Sequence, residues 1–204
     1  MDVYDRDLTE EVKKLAGNMG AELIGVGSAE RWDKAPLMLS PTGLLPTARS
    51  VVVCGVIFLD ASMELAEREI SEHWYTTYDT YDKCEELTAM NDRLDSIVFN
   101  LAKFLEAEGY RSLPTPITGL WRIRPYKSIE QPFAPALANR YAAVAAGLGE
   151  IGWNGLFLSP EYGPRQRLVS VVTEAPLEQT PMYNGPALCD KCMICVQKCP
   201  LDCF

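Results

Sequence analysis

The sequence predicts an α+β domain followed by a short cysteine-bearing tail, on three observations. Two apolar runs, "AELIGVG" and "SVVVCGVIFL", have the length and β-branched content of buried strands. Residues 82–108 carry apolar side chains at helical spacing over many turns. Four of the seven cysteines crowd into Cys189–Cys199, close to the end of the chain.

The elements follow in order. In "DLTEEVKKLAGNM", residues 7–19, Leu8, Val12, Leu15 and Met19 share one helical face; Asp7 is the expected N-cap with Glu10 three residues on, and Gly20 stops the helix. The strands "AELIGVG" and "SVVVCGVIFL" are separated by "APLMLSPTGLLPTARS", a turn-rich connection. The 82–108 helix sets Leu87, Leu94, Leu101 and Leu105 on one stripe, and Gly109 caps it. "LPTPITGLWRIRPYKSIEQPFAP", rich in proline and carrying Arg122, Arg124 and Lys127, reads as a loop able to wall a pocket. "PALANRYAAVAAGLG" predicts an Ala-rich helix that must pack closely, because its side chains are small. "GLFLSPEYGPRQRLVSVVTEAPL" then gives two strand-like runs joined by a turn, and "EQTPMYNGPAL" links them to the cysteines.

A chain of 204 residues with 48% hydrophobic content can bury one sizeable core, so one main domain over 1–180 and a tail over 181–204 are expected. The net charge of −9 repels nucleic acid and anionic lipid at long range and argues against both as partners. No apolar run reaches the ~18 residues of a membrane span. A cytoplasmic location is expected, and the clustered thiols suit a reducing compartment and a metal site better than a disulfide framework.

"CDKCMICVQKCP" has the spacing C-x2-C-x2-C-x3-C-P, the bacterial ferredoxin run, and this predicts a [4Fe–4S] cluster on Cys189, Cys192, Cys195 and Cys199. Structural zinc is the bland alternative, but zinc sites pair two C-x2-C knuckles across a longer loop. In two-cluster ferredoxins the fourth cysteine of such a run serves the other cube. The fourth ligand here is therefore open between Cys199 and Cys203, and the tail is expected to be a truncated ferredoxin-like segment whose natural end need not be Phe204.

The stretch "AAVAAGLGEIGWNGLFLSPEYGPRQRLVSVVTEAPL", with "LLPTARSVVVCGVIF" before it and the cysteine run after it, resembles the family that contains epoxyqueuosine reductases and reductive dehalogenases. That resemblance implies a nitroreductase-like α+β sandwich, a cobalamin (corrinoid) cofactor and electrons supplied through [4Fe–4S] clusters. It also implies that Gly147, Gly149 and Gly152 admit the corrinoid closely, with Tyr162 and Gly163 beside the same pocket. The bland reading of these glycines is tight turns between packed elements. The chain departs from the family in three places. Trp153 stands where a basic residue is frequent; "QPFAPALANR" holds no carboxylate where epoxyqueuosine reductases carry an acid; and the twin-arginine signal of the exported dehalogenases is missing.

In "HWYTTYDTYDKC" the phenols of Tyr75, Tyr78 and Tyr81 are candidate proton donors, since a phenol of pKa near 10 stays neutral until it gives up its proton. Such a cluster is more often an amphipathic rim, and the lone histidine, His73, is more often a surface group than a ligand. Cys54 should act as a small hydrophobe inside its strand, and Cys84 as an inert exposed thiol. The expected function is an iron–sulfur, corrinoid-dependent reductase, fed by a ferredoxin or flavodoxin and acting on a small molecule. Two alternatives stand beside it: a flavin-type nitroreductase-like enzyme, and a non-catalytic electron-transfer module.

Overall fold

Strand β2, Ser50–Ile57, is buried along nearly its whole length because packed layers cover both of its faces. Val52, Cys54 and Val56 point into one apolar cluster while Val51 and Val53 point into another, the alternation that a pleated strand imposes. The computed structural model describes residues 4–61, 63, 75–117, 137–199, 201 and 202. The loop basics Arg122, Arg124 and Lys127, together with His73 and Cys203, lie outside the described residues, as do the side chains of Tyr75, Tyr78, Tyr81 and Cys84.

β1 (Leu23–Ser28), β2, β3 (Ser112–Thr115) and β6 (Gln166–Thr173) form one antiparallel sheet in the order β1-β2-β6-β3. Helices α1 (Arg6–Asn18) and α3 (Tyr75–Ala107), between which in sequence lies the single-turn α2 (Pro41–Leu44), cover one face. There Leu8, Val12, Leu94, Ile97, Leu101 and Leu105 meet Val169 and Val171. The short α4, Asn139–Ala145, covers the other face through Ala142, Ala143 and, just past its end, Ala146, joined by Leu45, Leu137 and Phe157. The α+β class is as expected, in the form of a mixed fold around an antiparallel sheet. Among the described residues no helix is long and apolar enough to cross a membrane.

Three local expectations are corrected. The cap of α1 is Asp5, whose carboxylate accepts the Leu8 N–H at 2.9 Å, so Asp7 lies inside the first turn. The Ala-rich helix is only Asn139–Ala145, because Gly147 takes φ +76° just beyond it. The start of the proline-rich segment is strand β3 rather than loop: Pro114 lies in a strand at the sheet's edge, where a missing N–H is tolerated.

Close packing of α4 is achieved by glycine as well as alanine. A Cβ on Gly25 would lie 2.6 Å from the Ala146 carbonyl oxygen, and one on Gly27 would lie 2.8 Å from that of Ala145. These two positions of β1 form a bare strip on which the helix end rests.

Burial pushes the Cys54 thiol from 9.0 up to about 12. A raised folded-state pKa gives stability that is intact below the unfolded value and is lost as pH climbs through the folded one. Between about pH 9 and pH 12, Cys54 should therefore cost the fold up to ~1.4 kcal/mol per pH unit. Urea midpoints of the wild type and of Cys54→Ala, measured across that range, should converge as pH rises. A constant gap would mean that the thiol is hydrated in the native state.

Candidate functional site

The cysteine tail reaches its place by a docked linker. Thr180 adds to the open edge of β1: its N–H donates to the Val26 carbonyl at 2.8 Å, and its hydroxyl oxygen accepts the Val26 N–H at 3.0 Å. The Arg31 guanidinium bridges this segment to the end of α4, donating to the Thr180 carbonyl at 2.9 Å and to the Ala145 carbonyl. The cation suits the negative end of the helix dipole, and partial burial lowers its pKa. Upstream, the Glu178 N–H donates to the Thr9 hydroxyl at 2.8 Å and the Asp5 N–H to the Pro176 carbonyl at 2.8 Å.

The hairpin of β4 (Glu150–Ile151) and β5 (Phe157–Leu158) receives the tail. One carboxylate oxygen of Glu150 accepts the backbone N–H groups of Leu188 at 2.6 Å and Cys189 at 2.9 Å. The Trp153 backbone N–H donates to the Cys189 sulfur at 3.4 Å. An open concavity of about 530 Å³ lies here, lined by Glu150, Ile151, Gly152, Trp153, Ala187, Cys189 and Lys191.

The cysteine segment itself is tightly turned. Asp190 accepts the Cys192 N–H at 3.0 Å, and that bond holds its carboxyl below the usual range. Lys191 and Met193 take left-handed φ values of 57° and 62°, and helix α5 (Ile194–Gln197) starts directly after them. Left-handed conformation costs a residue with a Cβ roughly 1–2 kcal/mol, and two in three positions show a backbone bent by local constraint. Backbone that alternates in this way forms the concave N–H nests found at anion and iron–sulfur sites. Cys189, Cys195 and Cys199 are half-buried, Cys192 is exposed, and none of the four is in a disulfide. Among the described residues, no three His, Cys, Asp or Glu side chains draw together as a metal-holding group. The four cysteine sulfurs, the nest and the adjoining concavity nonetheless fit an iron–sulfur cluster in the chemistry of their donors.

Of the glycines read from the sequence, Gly147 and Gly149 fall on the α4–β4 turn, Gly152 on the β4–β5 hairpin and Gly163 on the turn after β5. A Cβ on Gly147 would lie 2.0 Å from the Pro181 oxygen, and one on Gly149 would lie 1.9 Å from the Leu158 oxygen. At both, the close neighbour is this chain's own backbone. A Cβ on Gly152 would lie 3.0 Å from the Asn154 and Leu158 side chains, whereas one on Gly163 would meet open space. Gly163 closes a turn against Ser159 through two 3.0 Å backbone bonds, and the Tyr162 N–H donates to the Ser159 hydroxyl at 3.3 Å. Lost hydration, and then the neighbouring Glu161, push the Tyr162 phenol up, so it stays protonated. The backbone of Tyr75, Tyr78 and Tyr81 belongs to α3.

Arg31, Glu150 and Thr180, which hold this arrangement, are not singled out by the sequence. Arg31 and Thr180 lie in unremarkable stretches. Glu150 did stand inside the quoted glycine motif, where a carboxylate between two glycine turns was the available signal.

No protein-family model matches the chain. By sequence it is similar to the tetrachloroethene reductive dehalogenases of Desulfitobacterium hafniense (38% identity over 60 residues, 28% of this chain and 11% of the relative) and Sulfurospirillum multivorans (37% over 60 residues, 28% and 12%). By structure, 95% of it superposes on epoxyqueuosine reductase from Bacillus subtilis, with a TM-score of 0.63 and 20% identity. The same share superposes on a B12-dependent reductive dehalogenase, with a TM-score of 0.68 and 18% identity. The chain has the fold these two kinds of reductase share. It spans 52% of the first structure and 25% of the second, and about a tenth of the dehalogenases it matches by sequence. Another structure with this fold, at a TM-score of 0.58 and 21% identity, is an epoxyqueuosine reductase holding a tRNA stem loop.

Proposed function

We propose that this chain is the core of an iron–sulfur reductase in which electrons pass from a [4Fe–4S] cluster on the cysteine tail to a corrinoid held by the main domain. The observation that carries this reading is the docking of Cys189 on the β4–β5 hairpin, in a fold shared with B12-dependent and epoxyqueuosine reductases. Cys189, Cys192 and Cys195 would hold the cube, with Cys199 or Cys203 as the fourth ligand. When bound, these groups supply low-potential single electrons and a cobalt centre that accepts them.

The chain's own part is placement. Thr180 and Arg31 fasten the linker to β1 and to the end of α4, with the Pro181 carbonyl close over Gly147, which sets the cysteine segment against the turn that Gly147 and Gly149 make possible. Gly163 offers a surface free of side chain, and Tyr162 a protonated phenol, on the turn after β5. A net charge of −9 favours a small, uncharged or cationic substrate over RNA, with a ferredoxin or flavodoxin as electron donor.

Titration of the anaerobic protein with hydroxocobalamin, followed by calorimetry and thermal melting, tests the corrinoid. Binding with a raised melting temperature is expected. Binding of flavin mononucleotide alone would favour the nitroreductase-like alternative, and binding of neither would leave an electron-transfer module.

A further inference from the structure

Glu150 stands on β4, paired across the hairpin with Leu158, and is half-buried. Its carboxylate oxygen takes the two N–H groups of Leu188 and Cys189, while the Trp153 N–H of the same hairpin reaches the Cys189 sulfur. The hairpin thus grips the first cysteine at both its backbone and its sulfur. These contacts pull a cluster's potential in opposite directions. An N–H bond to a ligating sulfur spreads its negative charge and eases reduction, whereas a fixed carboxylate close by makes an added electron more costly.

We propose that Glu150 is a positioning residue for the cluster: it fixes the backbone at Leu188–Cys189 and, by its charge, holds the cluster's reduction potential down. This rests on reading the cysteine run as a cluster site. The two roles separate by substitution. Glutamine has the shape of glutamate and keeps an oxygen able to accept both N–H groups, so Glu150→Gln removes only the charge. Glu150→Ala removes the charge and the anchor together.

The wild type, Glu150→Gln and Glu150→Ala are reconstituted anaerobically with iron and sulfide. Iron content, rate of loss in air and midpoint potential are measured, and melting of the metal-free proteins confirms that all three fold. Glu150→Gln should load as the wild type does, with its one-electron equilibrium shifted toward reduction by a factor of roughly ten, about 59 mV. Glu150→Ala should load poorly and lose iron several-fold faster in air, a defect absent from Glu150→Gln. If the wild type loads and both variants match it in potential and lifetime, Glu150 has no such role. If the folded wild type takes up no iron at all, the cluster reading itself fails, and this inference fails with it.

Discussion

Serine in place of Cys195 is expected to cost this chain its iron while leaving its fold intact. Cys195 is the third thiol of the C-x2-C-x2-C triple, the part of the run that serves a single cube. A serine hydroxyl does not ionise near neutral pH and offers iron a hard oxygen in place of a soft thiolate. Loss of one of three shared ligands leaves iron open to water and oxygen, so iron and acid-labile sulfide should fall from near one cube per chain to a small fraction. The main domain should not register the change, because Cys195 lies on the four-residue helix α5, outside both apolar clusters. Cys54→Ala is the matched control: that thiol sits at the centre of the sheet, and its removal should lower stability but leave iron uptake unchanged. Equal iron in the wild type and Cys195→Ser would remove the cysteine from the site.

Gly147→Val should produce the opposite pattern, a large loss of stability measurable in the metal-free protein. Gly147 has φ +76°, a conformation that disfavours any side chain and a β-branched one most. Its new Cβ would also fall 2.0 Å from the Pro181 oxygen, a contact that only backbone movement can relieve. Moving Pro181 strains the Thr180 bonds to Val26 and the Arg31 bridge, so the linker should lift from β1. A cost of ~3–5 kcal/mol follows from strain plus lost anchoring, which for a domain of this size lowers the melting temperature by roughly 10 °C. Gly163→Ala shares the left-handed φ but meets nothing within 4 Å, and should cost only about 1 kcal/mol. Thermal melts of the three proteins would show it; a Gly147→Val melt like the wild type's would mean that the linker is not held against the α4–β4 turn.

The sheet's centre was legible because β2 writes its burial into a continuous apolar run, and α3 from residue 82 onward because its stripe repeats over many turns, whereas its start at Tyr75, in the tyrosine-rich segment, was not. β3 was not, because the proline that tolerates an edge strand is also the strongest signal for a loop. Asp5 and Asp7 are chemically alike, and only the chain's entry angle decides which caps α1. At the candidate site the cysteines announced themselves through spacing alone. Their supports did not: Arg31 acts on Ala145 and Thr180, and Glu150 on Leu188 and Cys189, pairs far apart in sequence. Gly147 and Gly149 were legible as tight turns between packed elements, but the carbonyls of Pro181 and Leu158 that crowd them were not.

An electron paramagnetic resonance spectrum of the dithionite-reduced chain, isolated without oxygen and with iron and cobalt counted per chain, bears most directly on the proposal. The expected result is the signal of a reduced [4Fe–4S] cluster, with iron near one cube per chain, and cobalt that binds on addition of a corrinoid and is reduced to cob(II)alamin by the loaded protein. Stoichiometric zinc in the cysteine tail, with no iron uptake and no cobalt bound, would contradict it.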